Sequence, residues 1–256
     1  MRTLLIACCL PLVAGCLSAG ARPEVCRTNR PPLPCPTAVV FVANGSGDIR
    51  TVTAGLDQVV AESGAPLRIE TVLWSHGFGR YLSDHVDHCN QVRQGSRLAD
   101  EVAAYRQARP GQKVFLVGHS AGSAVALSAA ECLPADSVDR IILLAPSVCV
   151  SYDLRPALRA TRGGIDVFYS REDTVILGLG MRLVGTADRC CNKAAGQYGF
   201  TPVVSGPQDW ALYGKLRQHP WDPGVAWSGH DGGHYGSSQA GFLRAYVLPL
   251  LLAEEK

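Results

Sequence analysis

The pentapeptide at 118–122, Gly-His-Ser-Ala-Gly, is the part of the sequence whose residue types point most directly to chemistry. It lies between a Val- and Leu-rich run at 113–117, typical of a buried strand, and a small-residue run at 123–132, typical of a helix. In a sharp strand-to-helix turn the serine has strained backbone geometry, which is tolerable only because the flanking glycines bring no side chains. Its hydroxyl is then exposed beside the unpaired N–H groups of the helix N-terminus. Ser120 is therefore predicted to be a nucleophile.

The elements around this turn form a regular pattern, because apolar runs and helical patterns alternate along the chain after residue 36. Such alternation is typical of βαβ units, in which parallel strands are joined by right-handed helical crossovers. The predicted fold class is α/β, with a mostly parallel central sheet and helices on both faces. Strands are predicted at 38–43, 67–74, 113–117, 139–144, 164–169 and 224–227, and helices at 53–62, 96–109, 123–132 and 237–252.

The composition is that of one folded domain without an affinity for nucleic acid. The chain has 256 residues, of which 47% are hydrophobic and 18% charged, and this is too apolar for intrinsic disorder. Its 24 Lys and Arg against 22 Asp and Glu give a formal net charge of +2. Since the basic residues form no run, no nucleic-acid partner is expected. The length fits a single α/β domain.

With these elements around it, the turn at 118–122 resembles the nucleophile turn of the α/β-hydrolase superfamily, and the resemblance covers nearly all of the chain after residue 36. The family carries nucleophile, acid and histidine in this order, each on a loop after a strand. The resemblance implies that Asp173, in the Ser-Arg-Glu-Asp loop after the strand at 164–169, is the acid. Glu172 is the local alternative, whereas Asp166 falls inside the predicted strand.

The same resemblance assigns the base to the Gly-His-Asp-Gly-Gly-His-Tyr-Gly segment at 229–236. His234 follows two glycines and opens the last helix, which matches the family position of the catalytic histidine. His230, earlier in the segment, is the alternative. His119, beside the nucleophile, is expected to have a packing role.

An oxyanion hole needs two preorganised N–H donors. The N–H of Ala121 is one of them. The resemblance places the second on Ser46, in the Asn-Gly-Ser-Gly turn at 44–47, where the family often carries His-Gly-x-Gly and this chain has Asn44. The His-Gly-Phe-Gly segment at 76–79 competes for this role, but it follows the second strand and leaves a strand and a helix upstream unexplained. The loop is expected to line the pocket instead.

Two further patterns are expected to carry no metal or cofactor. Residues 83–88, Ser-Asp-His-Val-Asp-His, resemble the zinc motif of metallo-β-lactamase-like hydrolases, but Ser83 stands at the first ligand position. Because a catalytic zinc site needs each ligand in place, a polar loop is expected. The pair Gly178-x-Gly180 lacks the third glycine and the preceding strand of a dinucleotide-binding turn.

The connections between predicted strands indicate an open active site. Fewer than twenty residues separate the strand that ends near Ala145 from the one that begins near Gly164, which leaves room for only a minimal lid. The segment 174–223 is far longer than usual connections in such folds, so it is predicted to determine specificity. Whether its Trp210 and Trp221 bind an acyl group or only seal a loop is left open.

The segment 1–15 has the features of an export signal. Arg2 supplies a positive charge, and the apolar stretch after it is too short to span a bilayer permanently. The stretch ends Leu-Val-Ala-Gly-Cys, which resembles the bacterial lipobox, so Cys16 is predicted to be acylated and to become the new N-terminus. Several acyl chains would then supply a stable membrane anchor. The alternative is an ordinary secretory signal cleaved near Ala19 or Ala21.

Domain organisation and localisation follow from this signal. Residues 16–36 are rich in proline and are predicted to form a semi-rigid tether, and residues 37–256 form the α/β-hydrolase domain. Export to an oxidising compartment makes disulfides possible. The spacing favours a Cys26–Cys35 pair, and the neighbours Cys190 and Cys191 are expected to pack or pair separately.

The predicted function is that of an exported, lipid-anchored serine hydrolase of the bacterial cell envelope that cleaves carboxylic esters through an acyl-enzyme on Ser120. Its expected partners are a small-molecule or lipid ester and the membrane, with no cofactor. Two alternatives stay open: a non-catalytic lipoprotein that keeps the fold as a binding scaffold, and an acyltransferase or peptidase that uses the same triad.

Overall fold

The computed structural model describes residues 36–253. The predicted signal peptide, the acylation site Cys16, nearly all of the tether and the predicted Cys26–Cys35 pair lie outside the described residues. Within 36–253, the helices are all too short or too polar to cross a membrane.

A six-stranded sheet forms the centre of the domain. Its strands are β1 Ala38–Ala43, β2 Leu67–Thr71, β3 Lys113–His119, β4 Arg140–Leu144, β5 Ile165–Tyr169 and β6 Leu216–Pro220. They are arranged in the order β2-β1-β3-β4-β5-β6, and every neighbouring pair is parallel. The predicted α/β class with a parallel central sheet is confirmed.

Helices cover both faces of this sheet. The α-helices are α1 Thr51–Ser63, α2 Tyr81–Val86, α3 His88–Ala108, α4 Gly122–Glu131, α5 Arg155–Ala160, α6 Met181–Val184, α7 Ala195–Tyr198, α8 Pro207–Tyr213, α9 Ala240–Phe242 and α10 Leu248–Leu252. One buried cluster joins the sheet to α3, α4 and α5, for example through Leu98, Leu127 and Leu158. A second cluster joins the opposite face to α1 and the C-terminal helices, for example through Leu56 and Leu251.

The side chains of β3 show why its sequence is a continuous apolar run. Leu116 belongs to the first cluster, whereas Phe115 and Val117 belong to the second. Because a parallel strand with helices on both sides buries every side chain, it shows no alternation of polar and apolar residues. The strand therefore delivers the turn at its carboxyl end from a fully packed support.

The prediction of a strand at 224–227 is wrong, because Pro223–Ser228 is a 3-10 helix. Proline and glycine at its start disfavour a strand. The sixth strand is β6, which lies inside the segment 174–223. Its residues are only half-buried, since β6 is an edge strand, and for this reason no apolar run marks it in the sequence.

Two of the predicted helices differ from the structure. Helix α3 begins at His88 instead of residue 96, and its first turn is capped by Asp87, whose carboxylate accepts the N–H of Asn90 at 2.9 Å. The closing helix at 237–252 is interrupted by a π-helical segment, Leu243–Val247. Pro249 follows in α10, and a proline cannot donate the N–H that a continuous helix needs.

Candidate active site

Ser120 occupies the turn between β3 and α4. Its φ angle is 52°, in the left-handed region that L-residues rarely adopt. The N–H of Ser120 donates to the carbonyl of Leu144 at 3.0 Å, and its carbonyl accepts the N–H of Ser123 at 3.1 Å. These backbone bonds hold the strained residue between β4 and the start of α4.

Two glycines leave the space that this turn requires. A Cβ atom on Gly118 would lie 2.7 Å from the Cα of Ser123. One on Gly122 would lie 2.1 Å from the carbonyl oxygen of Ala43 and 2.3 Å from that of Asn44. Both distances are well below van der Waals contact, so a side chain at either position cannot be accommodated without displacing backbone.

His234 and Asp173 line up with the Ser120 hydroxyl. The Nε2 atom of His234 is 2.9 Å from the Oγ of Ser120, and its Nδ1 is 2.6 Å from Oδ2 of Asp173. All three side chains are buried. Because a carboxylate only accepts hydrogen bonds, Nδ1 carries the proton, and Nε2 is left as the acceptor that faces the serine hydroxyl. This is the arrangement in which an imidazole can take a proton from a serine.

Asp173 is held by the segment that follows it. Its Oδ1 accepts the N–H of Leu177 at 3.2 Å and thereby caps the π-helical segment Thr174–Gly180. The two carboxylate oxygens thus have separate partners, one in the triad and one in the backbone. The orientation of the acid is fixed from both sides.

The alternative acids occupy other places. Glu172 is exposed. Asp166 is buried in β5 and binds Arg140 at 2.7 Å, Arg217 at 2.8 Å and His219 at 2.8 Å. Burial alone would raise the pKa of Asp166, but the hydrogen bonds from these three side chains lower it far below its ordinary value. This carboxylate is a structural ion-pair centre.

The alternative base, His230, is engaged elsewhere. Its Nδ1 accepts the N–H of Gly232 at 3.1 Å, and its ring packs edge-on against Phe242. Burial lowers the pKa of His230 to about 4. His230 therefore supports the loop that carries His234, and His234 is the imidazole that contacts Ser120.

The predicted oxyanion donors lie on two adjacent turns. The turn at 44–47 follows β1, and β1 pairs with β3 so that Ala43 is level with Gly118. Within the described residues, the N–H groups of Ser46 and Ala121 donate no hydrogen bond to the protein. The Oγ of Ser46 is also buried without a partner there. These donors are available to an oxyanion.

The loop His76-Gly-Phe-Gly-Arg80 does not line the main cavity, which is the apolar cavity that opens at Ser120. The cavity walls contain none of the residues 76–80 among the described residues that form them. Instead, the N–H of Gly79 donates to the carbonyl of Gly47 at 3.0 Å. This loop supports the turn at 44–47 from behind, and the expectation that it lines the pocket is wrong.

The segment 83–88 has structural roles. Asp84 is buried and accepts the N–H of Gly47 at 2.6 Å. His85 points the other way, into the wall of the main cavity, where its Nε2 lies 2.8 Å from the carbonyl oxygen of Gly185. Across residues 36–253, no group of three or more His, Cys, Asp or Glu side chains is arranged to hold a metal ion.

An apolar cavity of about 370 Å³ opens at Ser120. Its walls come from the turn at 44–47, from α2, from the segment 174–184 and from the His234 loop. The first part of the long segment 174–223 therefore forms one wall, whereas Trp210 and Trp221 do not reach the cavity. The side chains around it are Ser46, Ile49, Tyr81, Leu82, His85, His119, Ser120, Val175, Ile176, Met181, Val184, His234 and Tyr235.

A disulfide joins the residues that follow this wall to the loop after β4. Cys149, after β4, is bonded to Cys191, and the two are 42 residues apart in the sequence. The carboxylate of Asp188 accepts the N–H of Cys149 at 3.0 Å, next to this bond. Cys190 is an exposed free thiol. The prediction that Cys190 and Cys191 do not pair with each other is confirmed.

His119 connects the nucleophile turn to the His234 loop. Its Nε2 is 3.3 Å from the carbonyl oxygen of His234, and its Nδ1 is buried without a partner in the described residues. Burial is the larger cause and the nearby His234 the smaller one, and together they lower the pKa of His119 to about 3. A neutral His119 donates from Nε2 to the backbone of the loop, which is a more specific role than the predicted packing.

A parallel sheet with a strained serine turn, an aligned imidazole and carboxylate, and helices on both faces defines an α/β-hydrolase. The chain belongs to the family described as "Serine aminopeptidase, S33", whose model matches residues 35–172, and it is thus a serine hydrolase. The match includes Ser120 but ends before Asp173 and His234. The assignment of Asp173 as acid and His234 as base therefore depends on their hydrogen bonds in the structure.

Several solved structures are similar to this chain. They include a Trichoderma reesei cutinase with a phosphonate inhibitor (17% identity, TM-score 0.41, 65% of this chain and 74% of that chain). Another is the catalytic core of a Trichoderma reesei acetyl xylan esterase (15%, 0.40, 82% and 98%). A third is esterase PE8 (17%, 0.49, 86% and 94%). No curated protein sequence matches the chain.

The buried histidines predict how stability depends on pH. His119 and His230 have folded-state pKa values of about 3 and about 4, whereas the unfolded value is about 6.5. As the pH falls from 7 to 5, the unfolded chain takes up protons that the native state does not, so the free energy of unfolding decreases. The contribution is complete above the unfolded pKa and is lost as the pH falls toward the folded values.

Urea unfolding at pH 7, 6 and 5 measures how steeply the free energy of unfolding decreases as the pH falls. The variant His119→Gln should show a shallower decrease than the wild type, because it removes one of the histidines whose pKa burial lowers. Equal slopes in the two proteins would contradict the assignment.

Proposed function

We propose that this protein hydrolyses carboxylic esters with an uncharged, apolar acyl group, using Ser120, His234 and Asp173 as its catalytic triad. The observation that supports this most is the apolar cavity of about 370 Å³ that opens directly at the Ser120 hydroxyl. An acyl chain in this cavity brings its carbonyl carbon to the nucleophile. The unpartnered N–H groups of Ser46 and Ala121 are the proposed oxyanion donors.

The geometry supports a two-step acyl transfer. The Oγ of Ser120 attacks the carbonyl carbon while its proton passes to Nε2 of His234, and Asp173 stabilises the resulting imidazolium. The negative oxygen of the tetrahedral intermediate accepts hydrogen bonds from Ser46 and Ala121. When the ester C–O bond breaks, His234 returns the proton to the leaving alcohol, and Ser120 stays acylated.

Water completes the cycle. It gives a proton to His234 and attacks the acyl carbonyl, and a second tetrahedral intermediate forms at the same oxyanion donors. Its collapse breaks the bond to Ser120, which takes the proton back from His234. The products are a carboxylic acid and the free enzyme.

The family description also raises aminopeptidase activity as a second candidate. An aminopeptidase has to bind the positively charged α-amino group of its substrate, and a carboxylate is the usual partner for such a group. The walls of the main cavity contain neither Asp nor Glu among the described residues. The lack of a carboxylate in the walls of this cavity favours an uncharged acyl group.

The reaction class is tested by comparing two chromogenic substrates on the purified mature protein. We expect hydrolysis of p-nitrophenyl butyrate and at least about 100-fold slower hydrolysis of alanine p-nitroanilide. Ser120→Ala should lose at least about 1,000-fold in kcat, because the nucleophile is absent. It should also lose labelling by a fluorophosphonate probe. Preferred cleavage of the anilide would favour a peptidase, and a folded but unlabelled wild type would favour a binding scaffold.

The cavity is tested by narrowing it from the wall at 174–184. Ile176 lines the cavity, whereas Leu179, on the same π-helical segment, is exposed and does not. Ile176→Trp should lower kcat/KM for p-nitrophenyl octanoate by about 10-fold or more, relative to its effect on the acetate ester, because filled space excludes the longer chain. The matched variant Leu179→Trp should leave the ratio of the two esters unchanged. Equal effects on both esters in Ile176→Trp would place the acyl chain elsewhere.

We also propose that the enzyme acts at a membrane, anchored through acylated Cys16. The lipobox-like sequence at 12–16 and the proline-rich tether support this localisation. A tether of this kind would hold the domain near a lipid surface while leaving the cavity accessible.

Metabolic labelling with an alkyne fatty acid in a bacterial host tests the anchor. The wild type should incorporate the label and sediment with membranes, and Cys16→Ser should do neither. Cys26→Ser is the matched control and should behave as the wild type. An unlabelled wild type recovered from the medium would instead support the secretory signal.

A further inference from the structure

Helix α2 places a buried carboxylate directly behind the turn at 44–47. The Asp84 side chain is completely inaccessible to solvent and is not part of the cavity wall. Its Oδ2 accepts the N–H of Gly47 at 2.6 Å and the hydroxyl of Ser75 at 2.5 Å. Its Oδ1 accepts the backbone N–H of His76 at 2.7 Å and binds Nδ1 of the same residue at 2.9 Å. The carboxylate therefore has four donors around it, two on each oxygen.

The bond to Gly47 fixes the peptide plane next to the proposed oxyanion donor. The N–H of Gly47 lies in the peptide plane that joins it to Ser46, so its direction sets the ψ angle of Ser46. Gly47 has a φ of 81°, in the left-handed region. The ring of Tyr81, also on α2, packs against Gly47: a Cβ atom added to Gly47 would lie 2.6 Å from that ring.

The other end of the turn is fixed independently. The side chain of Asn44 donates to the hydroxyl of Thr53 at 2.7 Å and accepts the N–H of the same residue at 3.2 Å, at the start of α1. The carbonyl of Asn44 accepts the indole N–H of Trp74 at 2.9 Å. The backbone of Ser46 thus lies between two fixed ends of the turn. Neutral groups hold the end at Asn44, and the carboxylate of Asp84 holds the end at Gly47.

We infer that Asp84 is a positioning residue for the oxyanion hole: it holds the Ser46 N–H in the direction of the oxyanion without touching substrate. This inference rests on the proposed function, because it assigns Asp84 a role in the same reaction. The contact joins residues 37 positions apart and ties α2 to the turn. A charge-assisted bond is stronger than a bond between neutral groups, which suits this role.

The substitution Asp84→Asn tests the role because it keeps the shape and removes half of the acceptors. An amide has one oxygen and one NH2 group, so the N–H of Gly47 either faces another donor or keeps a bond that is no longer charge-assisted. We expect kcat for p-nitrophenyl butyrate to fall by about 30-fold, which is less than the loss of a whole oxyanion donor. KM should change by less than about twofold, since ground-state binding in the apolar cavity is not altered.

A trifluoromethyl ketone with the same acyl chain separates positioning from general destabilisation. Its adduct with Ser120 carries an oxyanion, so the inhibition constant should rise by the same factor as kcat/KM falls. Asp139→Asn is the matched control: this buried carboxylate also accepts a backbone N–H, that of Val114 at 2.7 Å, and contacts neither Asp84 nor the turn at 44–47. It should keep kcat and the inhibition constant within about twofold of the wild type.

The outcomes distinguish this inference from the proposed function. If the wild type hydrolyses the ester and Ser120→Ala does not, but Asp84→Asn retains full kcat, the positioning role is overturned and the triad stands. If Ser120→Ala remains active, the proposed function itself fails. Should Asp84→Asn not fold, Ser75→Ala removes one hydrogen bond from the same carboxylate oxygen of Asp84. We then expect kcat/KM to fall by threefold or more and the inhibition constant to rise by the same factor. Unchanged values would overturn the inference.

Discussion

The nucleophile turn and the turn at 44–47 approach each other through backbone atoms, and the rest of the site depends on this contact. The carbonyl oxygens of Ala43 and Asn44 occupy the space that a side chain on Gly122 would need, and a Cβ atom on Gly45 would lie 2.9 Å from the ring of His119. Two neighbouring parallel strands end at the same level, so their turns meet without any intervening side chain. This proximity is what would allow the proposed oxyanion donors, on two different turns, to bind one substrate oxygen. A parallel sheet with buried strands provides it.

The acid and the substrate cavity are connected by the same short segment. Asp173 binds His234 with one oxygen and caps the segment Thr174–Gly180 with the other. That segment continues into α6, which supplies Met181 and Val184 to the cavity wall. Movement of the wall would therefore disturb the orientation of the imidazole. In this architecture substrate binding and proton transfer share one structural unit, so specificity cannot change freely without affecting the triad.

Local sequence signals were sufficient where a residue's role is set by its neighbours in the chain. The turn around Ser120 is recognisable because strain requires glycines at fixed positions, and β1, β3 and β4 are recognisable because buried parallel strands are almost continuously apolar. The apolar residues on both sides of Asp166 were also enough to predict β5. Strand β6 is an edge strand with polar residues, and it carries no such signal. The roles of Asp84 and His85 depend on contacts 37 and 100 residues distant, which no local pattern encodes. A weak resemblance to a zinc motif was all that the segment 83–88 offered.

The disulfide between Cys149 and Cys191 bears on the energetics of substrate recognition. It closes a loop of 42 residues, and in the chain-entropy model such a closure removes about 4 kcal/mol of conformational freedom from the unfolded state. The short, irregular segments inside this loop would form few stable contacts by themselves, yet they make up one side of the cavity at Ser120. Their order is therefore acquired during folding and oxidation. A substrate bound there, as proposed, would meet a wall that is already ordered, and little of its affinity would be spent on immobilising the protein.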